Sequence, residues 1–462
     1  MQDRQNGEWV KIADTLEDRD RGLDQSMTEA NIARIKVKHK TAIPTGTYEI
    51  IMNVVSGTFA KKQHYKEFCG GKLPRLKYVK GFSGILIHCL TPDMEILTEN
   101  GWQDMESFKN NPAKMCYSYN TESGMAELVP IDDYIEQDYD GKIYCCNSRR
   151  ISYSVTNKHR MWVGSRVHGG GVTWGFRTAD DIKSQPKFLT SAYKEGEALT
   201  AEQKTIYRLV MATQADGYIL NYSARSSAVR FHFVKERKIN RIKELVEQIG
   251  HTYNEFIDNE GKTHITLDGP LSNQIAEFMN PLRLMCNTKE LPIELLNLRS
   301  DDLKDLLMEY LFWDGRWENY CKNHHVMVIS SVNTRTLGVL QAMASLCGVR
   351  SHFRESNHCY ELVLYDNQTE CTIESECFKT EDYNGKVWCI SNKNTTLIVR
   401  RRGRTMIIGN CGYDENDSSG CILVGENKVV GKIINSWSTF KRVYGLLKAA
   451  SDRGEKITLT IQ

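Results

Sequence analysis

No apolar run in this 462-residue chain approaches the ~20 residues that a membrane span requires, so no membrane partner is expected. The opening Met1-Gln2-Asp3-Arg4-Gln5 has no hydrophobic segment of the signal-peptide type, which makes the cytoplasm the expected compartment. There is no large excess of charge either. A formal +2 does not by itself point to nucleic acid, though a local basic face stays compatible with it. No Cys-x-x-Cys pair occurs among the 14 cysteines, which argues against a structural zinc site, and their spacing forms no small secreted disulfide framework. In a reducing compartment most are buried apolar side chains and a few are reactive thiols, with Cys145-Cys146 read as strand filler.

What is present is ordinary in amount and unusual in arrangement. An apolar content of 40% and a charged content of 26% suit a globular protein, and the length suggests two to four domains. The arrangement turns on two points far apart. One is Cys89-Leu90-Thr91-Pro92-Asp93-Met94-Glu95-Ile96-Leu97-Thr98, which opens a β-rich stretch; the other is Ile407-Ile408-Gly409-Asn410-Cys411. A thiol at each junction can carry the chain as a thioester, and an Asn amide can attack its own carbonyl to release it.

These residues, with Thr156-Asn157-Lys158-His159 about 70 positions after the first Cys, resemble an intein. Residues 89–410 would be a 322-residue insert interrupting a 140-residue host. The strands Gly385-Lys386-Val387-Trp388-Cys389-Ile390 and Leu397-Ile398-Val399-Arg400 extend the likeness. It implies that 89–195 and 371–410 are the two halves of the all-β horseshoe shared by inteins and hedgehog autoprocessing domains. By resemblance, Cys89 attacks the carbonyl of His88, and His159 protonates the departing nitrogen. Thr156 hydrogen-bonds the developing oxygen or nearby backbone as an oxyanion-hole contribution. Cys411 then takes the acyl group and Asn410 cyclises, all without a cofactor. Inteins usually carry His before the terminal Asn, where this chain has Gly409. Arg400, Arg402 and Arg404 are the candidate substitutes, and Cys389 is read as auxiliary or structural.

Between the halves the apolar period changes to a helical one. Thr200-Ala201-Glu202-Gln203 is a capping-box pattern, and Ser300-Asp301-Asp302 starts a second helix. Both run to an Asp-Gly, at Asp216-Gly217 and Asp314-Gly315. The segments align without a gap at an offset of 98: Asn221-Tyr222 on Asn319-Tyr320, Gly250 on Gly348, and His264-Ile265-Thr266-Leu267-Asp268 on Leu362-Val363-Leu364-Tyr365-Asp366. This duplication resembles a two-motif LAGLIDADG homing endonuclease over 196–370. The resemblance implies Mg²⁺ held by Asp216 and Asp314, a long asymmetric double-stranded DNA target, and a monomeric enzyme. Arg230, Lys235, Arg237, Lys238 and Arg241 are the candidate phosphate contacts, with a solvated helix face as the plainer reading of 235–243. The third motif position, usually Gly in that family, is Met211 and Glu309 here.

Residues 1–88 and 411–462 read as halves of one small β-rich host domain. Gly46-Thr47-Tyr48-Glu49-Ile50, His88 and Ser418-Ser419-Gly420-Cys421 are similar to L,D-transpeptidase-like domains and to short phage-associated proteins. In that reading Cys421 is a nucleophile and His88 its base; a structural Cys and a strand-end His are the alternative. The expected fold is therefore multidomain: a split β-rich host, a split all-β splicing unit and an α+β endonuclease inside it. The rival is a non-splicing fusion of a DNA-binding or nuclease core with β domains.

Overall fold

The computed structural model describes residues 1–5, 8–16, 19–35, 41–52, 68–69, 74–76, 89–157, 159–167, 169–182, 185–196, 198–223, 226–279, 289–321, 324–356, 359–410, 423–429 and 432–461. His88, Cys411 and Cys421 lie outside them. The two ends of the chain pair with each other. Strand Asp14–Leu16 runs antiparallel to Leu423–Val429, with Leu16 opposite Leu423. Strand Gly46–Ile51 pairs with Thr458–Ile461, and Tyr48 faces Leu459.

After Cys89 the chain forms β1 (Glu95–Thr98), β2 (Met115–Asn120), β3 (Met125–Pro130), β4 (Asp133–Asn147), β5 (Ser152–Thr156) and β6 (Arg160–Arg166). Every residue of β5 is buried, which suits a strand enclosed on both faces. Helix α1 (Ala201–Ala215) follows, opened by Thr200, whose hydroxyl accepts from the Gln203 amide while the Gln203 side chain accepts from the Thr200 amide.

A repeated unit comes next: β7 (Gly217–Ser223), β8 (Ser226–Phe233), α2 (Glu236–Gln248), β9 (Tyr253–Ile257) and β10 (Thr263–Leu267). Its second copy is α3 (Ser300–Asp314), β11 (Gly315–Cys321), β12 (His324–Ser331), α4 (Thr334–Ser345), β13 (Arg350–Ser356) and β14 (Cys359–Tyr365). The offset of 98 holds through Gly250 and Gly348, which both turn in the left-handed region at φ +69° and +75°.

It fails at the last strand. Phe231 sits opposite Ile265, whereas its counterpart Ile329 sits opposite Leu362, an offset of 97 from Ile265. The gapless alignment on Val363 is thus corrected by one residue, and the hairpin between β13 and β14 absorbs the difference. A one-residue slip reverses every side chain's face. Leu362 and Leu364 therefore join the main core, and Val363 lies with Val326, Val328 and Tyr365 on the opposite face.

The chain then returns through β15 (Phe378–Ser391), β16 (Thr396–Arg401) and β17 (Arg404–Gly409). Strands β4 and β15 pair without interruption from Asp133 opposite Ser391 to Cys146 opposite Phe378, and Val399 of β16 faces Ile96 of β1. The β-rich stretches before and after the repeat therefore pair into one unit, with a short helix at Met105–Asn110, although more than 170 residues separate them. That unit is continuous with the second repeat. An 11-stranded sheet, which also takes in Tyr193–Lys194 beside β3 and Gly101–Gln103 beside β1, runs from β3 through β2, β1, β16 and β17 into β13, β14, β12 and β11, and the join is His352 opposite Arg404. The main core likewise mixes Leu97, Tyr117, Ile398 and Ile407 with the repeat's own apolar residues. Among the described residues, no helix is long and apolar enough to cross a membrane.

Candidate functional sites

The first centre lies where the residues around Cys89 and Asn410 meet. The Leu90 amide donates to the Trp388 carbonyl at 2.8 Å and Trp388 returns the bond at 2.9 Å, which fixes the opening residues beside β15. Cys89 is fully buried. Its N–H donates to Thr156 Oγ1 at 3.0 Å, and the Thr156 N–H donates to the Cys89 carbonyl at 2.9 Å. The Cys89 nitrogen is the one released when the bond preceding it breaks. Thr156 therefore holds the Cys89 nitrogen, the nearby-backbone form of the hydrogen bond expected for it: its oxygen is engaged as an acceptor from an amide.

His159 is presented by a tight turn in which its N–H donates to the Thr156 carbonyl at 3.1 Å. The ring is fully buried, and Nε2 lies 3.0 Å from the Gly409 carbonyl oxygen. A carbonyl only accepts, so Nε2 carries the proton, and in the neutral ring Nδ1 is the basic nitrogen. The imidazole is thus bonded to the peptide that precedes Asn410.

Gly409 is also the point of closest backbone approach. A Cβ there would lie 2.5 Å from the Arg160 carbonyl oxygen and 2.7 Å from the Arg160 Cβ. Backbone cannot yield as a flexible side chain can, so no side chain fits without moving β6 from β17. Asn410 follows, fully buried; its N–H donates to the Thr395 carbonyl at 3.0 Å. Its side-chain Nδ2 and Oδ1 have no hydrogen-bond partner among the described residues. Each such buried orphan costs roughly 1–3 kcal/mol, which leaves this amide poorly stabilised where it stands.

The arginines considered as substitutes for the missing His are elsewhere. The β16–β17 hairpin pairs Thr396 with Gly409 at one end and Arg401 with Arg404 at the other. Arg404 is thus five residues, about 16 Å, from Gly409. Arg402 occupies the turn with φ +49°, and Arg400 is engaged by Glu95 and by Gln341 Oε1 at 3.1 Å. Cys389 is buried, and its thiol faces the Ile390 carbonyl at 3.4 Å.

The second centre lies at the C-terminal ends of α1 and α3, which pack side by side. Asp216 caps α1 and Asp314 ends α3. The Lys238 ammonium is ion-paired with Asp216 and lies 3.8 Å from Asp314 Oδ1. Burial, and then the charge of Asp216, raise the pKa of Asp314, as expected for two acids sharing one place. The same two carboxylates and its burial hold the Tyr310 hydroxyl neutral. Lys289 donates to the carbonyls of Gly217 at 2.6 Å and Thr213 at 3.1 Å, and burial lowers its pKa.

Paired carboxylates that share the Lys238 ammonium, with Lys289 acting on both from further off, suit a divalent cation. Among the described residues no group of three or more His, Cys, Asp and Glu could hold a metal. Mg²⁺ commonly takes one or two carboxylates and completes its shell with water and substrate phosphate, so two acids suffice. Lys238 marks the position such an ion would take.

The larger residues at the third motif position do not separate the helices. Met211 is fully buried in the core. Glu309 accepts from Arg241 Nε at 3.1 Å and Nη2 at 2.5 Å, and from Trp313 Nε1 at 3.1 Å.

Three of the five candidate phosphate contacts have partners within the protein. Arg241 is held by Glu309 and by Glu244 at 2.8 Å. Lys238 is buried between the acids. Arg237 donates to the Phe312 carbonyl at 2.6 Å, where it caps α3, and stacks on the Phe312 ring. Lys235 is exposed, and Arg230 lies on the sheet with its guanidinium donating to the Tyr222 hydroxyl at 2.9 Å. The solvated-face reading of 235–243 therefore fails for its two most important members. The duplication could not flag Lys238 because its counterpart is Thr336, and no sequence signal marked Lys289 or Tyr310.

No family model matches the chain. It is similar to the ribonucleoside-diphosphate reductase subunit beta of Aquifex aeolicus, with 20% identity over 361 residues covering 70% of this chain and 50% of that protein. It is also similar to the DNA-directed RNA polymerase subunit beta C-terminal section of Stigeoclonium helveticum, at 23% over 287 residues, 53% of this chain and 25% of that one. The chain thus spans half the length of the first of these relatives and a quarter of the second. Among solved structures, the N-terminal LAGLIDADG domain of DUF199/WhiA aligns with a TM-score of 0.24 and 12% identity over 36% of this chain and 78% of that one. I-DmoI in complex with DNA and Mn aligns with a TM-score of 0.26 and 12% identity over 35% and 90%. Full-length DUF199/WhiA from Thermatoga maritima gives a TM-score of 0.25 and 13% identity over 36% and 52%.

Proposed function

We propose that residues 89–410 excise themselves and join residue 88 to Cys411, and that the excised piece carries a divalent-metal-dependent DNA endonuclease. The observation that supports excision is the burial of Cys89 and Asn410 with the residues that hold them: the Cys89 nitrogen on Thr156, and the Gly409 carbonyl on His159. In the first step the Cys89 thiol attacks the carbonyl of His88, forming a thioester while the Cys89 nitrogen leaves as an amine. Thr156 holds that nitrogen, and the basic Nδ1 of His159 takes the thiol proton and passes it to the departing nitrogen. The thiol of Cys411 then takes the acyl group. The Asn410 side-chain nitrogen attacks its own carbonyl, closing a succinimide and releasing Cys411, whose freed amine recovers the acyl group as a peptide. His159, bonded to the peptide on the other side of Asn410, orients that residue for closure in place of the absent neighbouring His.

Intact mass after expression of the whole gene in a reducing bacterial cytoplasm tests this. A 322-residue and a 140-residue product are expected, and neither forms when Cys89→Ala is combined with Asn410→Ala. An undivided 53.0 kDa chain would sink the proposal.

The nuclease reading rests on the Asp216–Lys238–Asp314 arrangement. Asp216 and Asp314 would hold Mg²⁺, which when bound supplies an activated water and charge stabilisation at phosphate. Lys238 would neutralise the acids beforehand and then be free to face a phosphate oxygen. The assay is cleavage of a duplex spanning the host gene without its insert, with Mg²⁺, and with Asp216→Asn and Asp314→Asn as controls. Intact DNA with the parent protein would defeat it.

A further inference from the structure

Two exposed valines occupy equivalent places in the repeat and have no structural reason to be there. Val234 is 72% exposed and Val332 79% exposed, at the offset of 98 that relates the first strands and helices. Each immediately precedes a helix cap: Lys235 for α2, Asn333 for α4. A hydrophobic residue at that place normally packs on the fourth helical residue, here Ile239 and Leu337. At these exposures neither valine does so, although Leu337 is fully buried within reach of that contact.

Their surroundings are the nuclease centre. The start of α2 reaches the end of α3 through Arg237 and the Phe312 carbonyl at 2.6 Å. The start of α4 reaches the end of α1 through Gln214 Nε2, which donates to Thr336 Oγ1 at 2.9 Å. Phe312 and Gln214 are themselves equivalent in the repeat, so each valine lies three or four residues before a contact with the other copy's helix end. The helix starts that follow the valines therefore meet the ends that carry Asp216 and Asp314.

Both carboxylates reach one ammonium, so the phosphates they serve must be close. Phosphates of opposite strands approach most nearly across the minor groove, ~6 Å wide against ~12 Å for the major groove. Apolar side chains presented to that groove act as wedges that unstack a base step and kink the duplex. Exposed Lys235 beside one valine supplies the phosphate attraction such a wedge needs, while Arg335 near the other is exposed but paired with Glu290 at 2.8 Å.

We infer that Val234 and Val332 are paired apolar wedges that enter the minor groove of duplex DNA on either side of the two-carboxylate centre and unstack the base steps there. This rests on the nuclease reading. The experiment uses the full chain with a duplex of the insert-free host gene that carries 2-aminopurine at the central steps. The parent protein raises the fluorescence on binding in Ca²⁺. The Val234→Ala/Val332→Ala double variant, altered only at exposed positions, loses that rise and cleaves at least tenfold more slowly with Mg²⁺. A duplex with a central two-base mismatch, already unstacked, restores its cleavage to within threefold of parent. Equal fluorescence and equal cleavage by parent and variant would overturn the wedge while leaving the nuclease intact. A slow variant that the mismatch does not rescue would also overturn it. A parent that fails to bind the duplex would overturn both.

Discussion

The Nε2 of His159 lies 3.0 Å from the carbonyl oxygen of Gly409, so a single imidazole is tied to the peptide preceding Asn410 while its own backbone bonds Thr156, which holds the Cys89 nitrogen. Both proposed cleavages are thereby connected through four residues, and Gly409 is small because β6 passes directly against it.

Restoring the usual histidine should therefore harm rather than help. Gly409→His and Gly409→Ala are both expected to slow release of the closing junction about tenfold or more, since overpacking a close backbone contact costs roughly 1–3 kcal/mol. The amount of insert still attached to the downstream segment, followed by mass over time, reads this. Faster release by the His variant would contradict the steric account.

Thr156→Val removes the acceptor from a buried amide and should lower stability by about 1–3 kcal/mol. Cleavage at the opening junction by added thiol should fall with it. Thr156→Ser keeps the oxygen and should recover both measurements.

Asp314 has a raised pKa, so it retains a proton to higher pH than an ordinary carboxylate. Mg²⁺ needs it ionised. The rise in Tm produced by Mg²⁺ should thus be largest near neutrality and shrink as pH falls through that raised value. In Asp216→Asn, where the like charge is gone, the residual effect of Mg²⁺ should persist to lower pH.

His352 joins the second repeat to β17, and burial with the cations of Arg404, Arg350 and Arg354 pushes its pKa down to about 4. The unfolded chain binds this proton near pH 6.5 and the folded chain does not. Stability from this group is complete above pH 6.5 and is lost as pH falls towards 4, by roughly 2–3 kcal/mol allowing for partial solvent access. His352→Gln should flatten that part of the Tm-against-pH curve.

Glu309→Gly supplies the small residue typical of the third motif position, yet it should destabilise. It strips Arg241 of its buried partner and adds a helical glycine, for about 2–4 kcal/mol in denaturant unfolding. A neutral or stabilising result would mean the helix contact does not depend on the ion pair.

Much of this was readable from the residues alone, where local rules act. The capping box at Thr200, the start of α3 at Ser300, and the return of the chain ends to one another follow from patterning and punctuation. Register was not readable at β14, because a hairpin one residue shorter leaves the apolar pattern of Leu362-Val363-Leu364 looking the same on either face. Nor could spacing show that Lys238 turns inward to the acids while Lys235, three residues earlier, stays out. A helix places such residues on one side, and only the neighbouring helix ends decide which charge is captured. Gly409 looked like a missing group; its tight contact with Arg160 is a long-range fact invisible in sequence.

The sheet that passes from β17 into β13 bears on how such a gene can decay. Were the nuclease segment deleted at its sequence boundaries, β17 would be left with a bare strand edge and the core around Ile398 and Ile407 would open to water. Point substitution at Asp216 or Asp314 carries no such penalty. On the proposed function, a lineage that no longer gains from DNA cutting would therefore lose the chemistry long before it lost the residues, and would keep a silent nuclease as scaffolding for the excision unit.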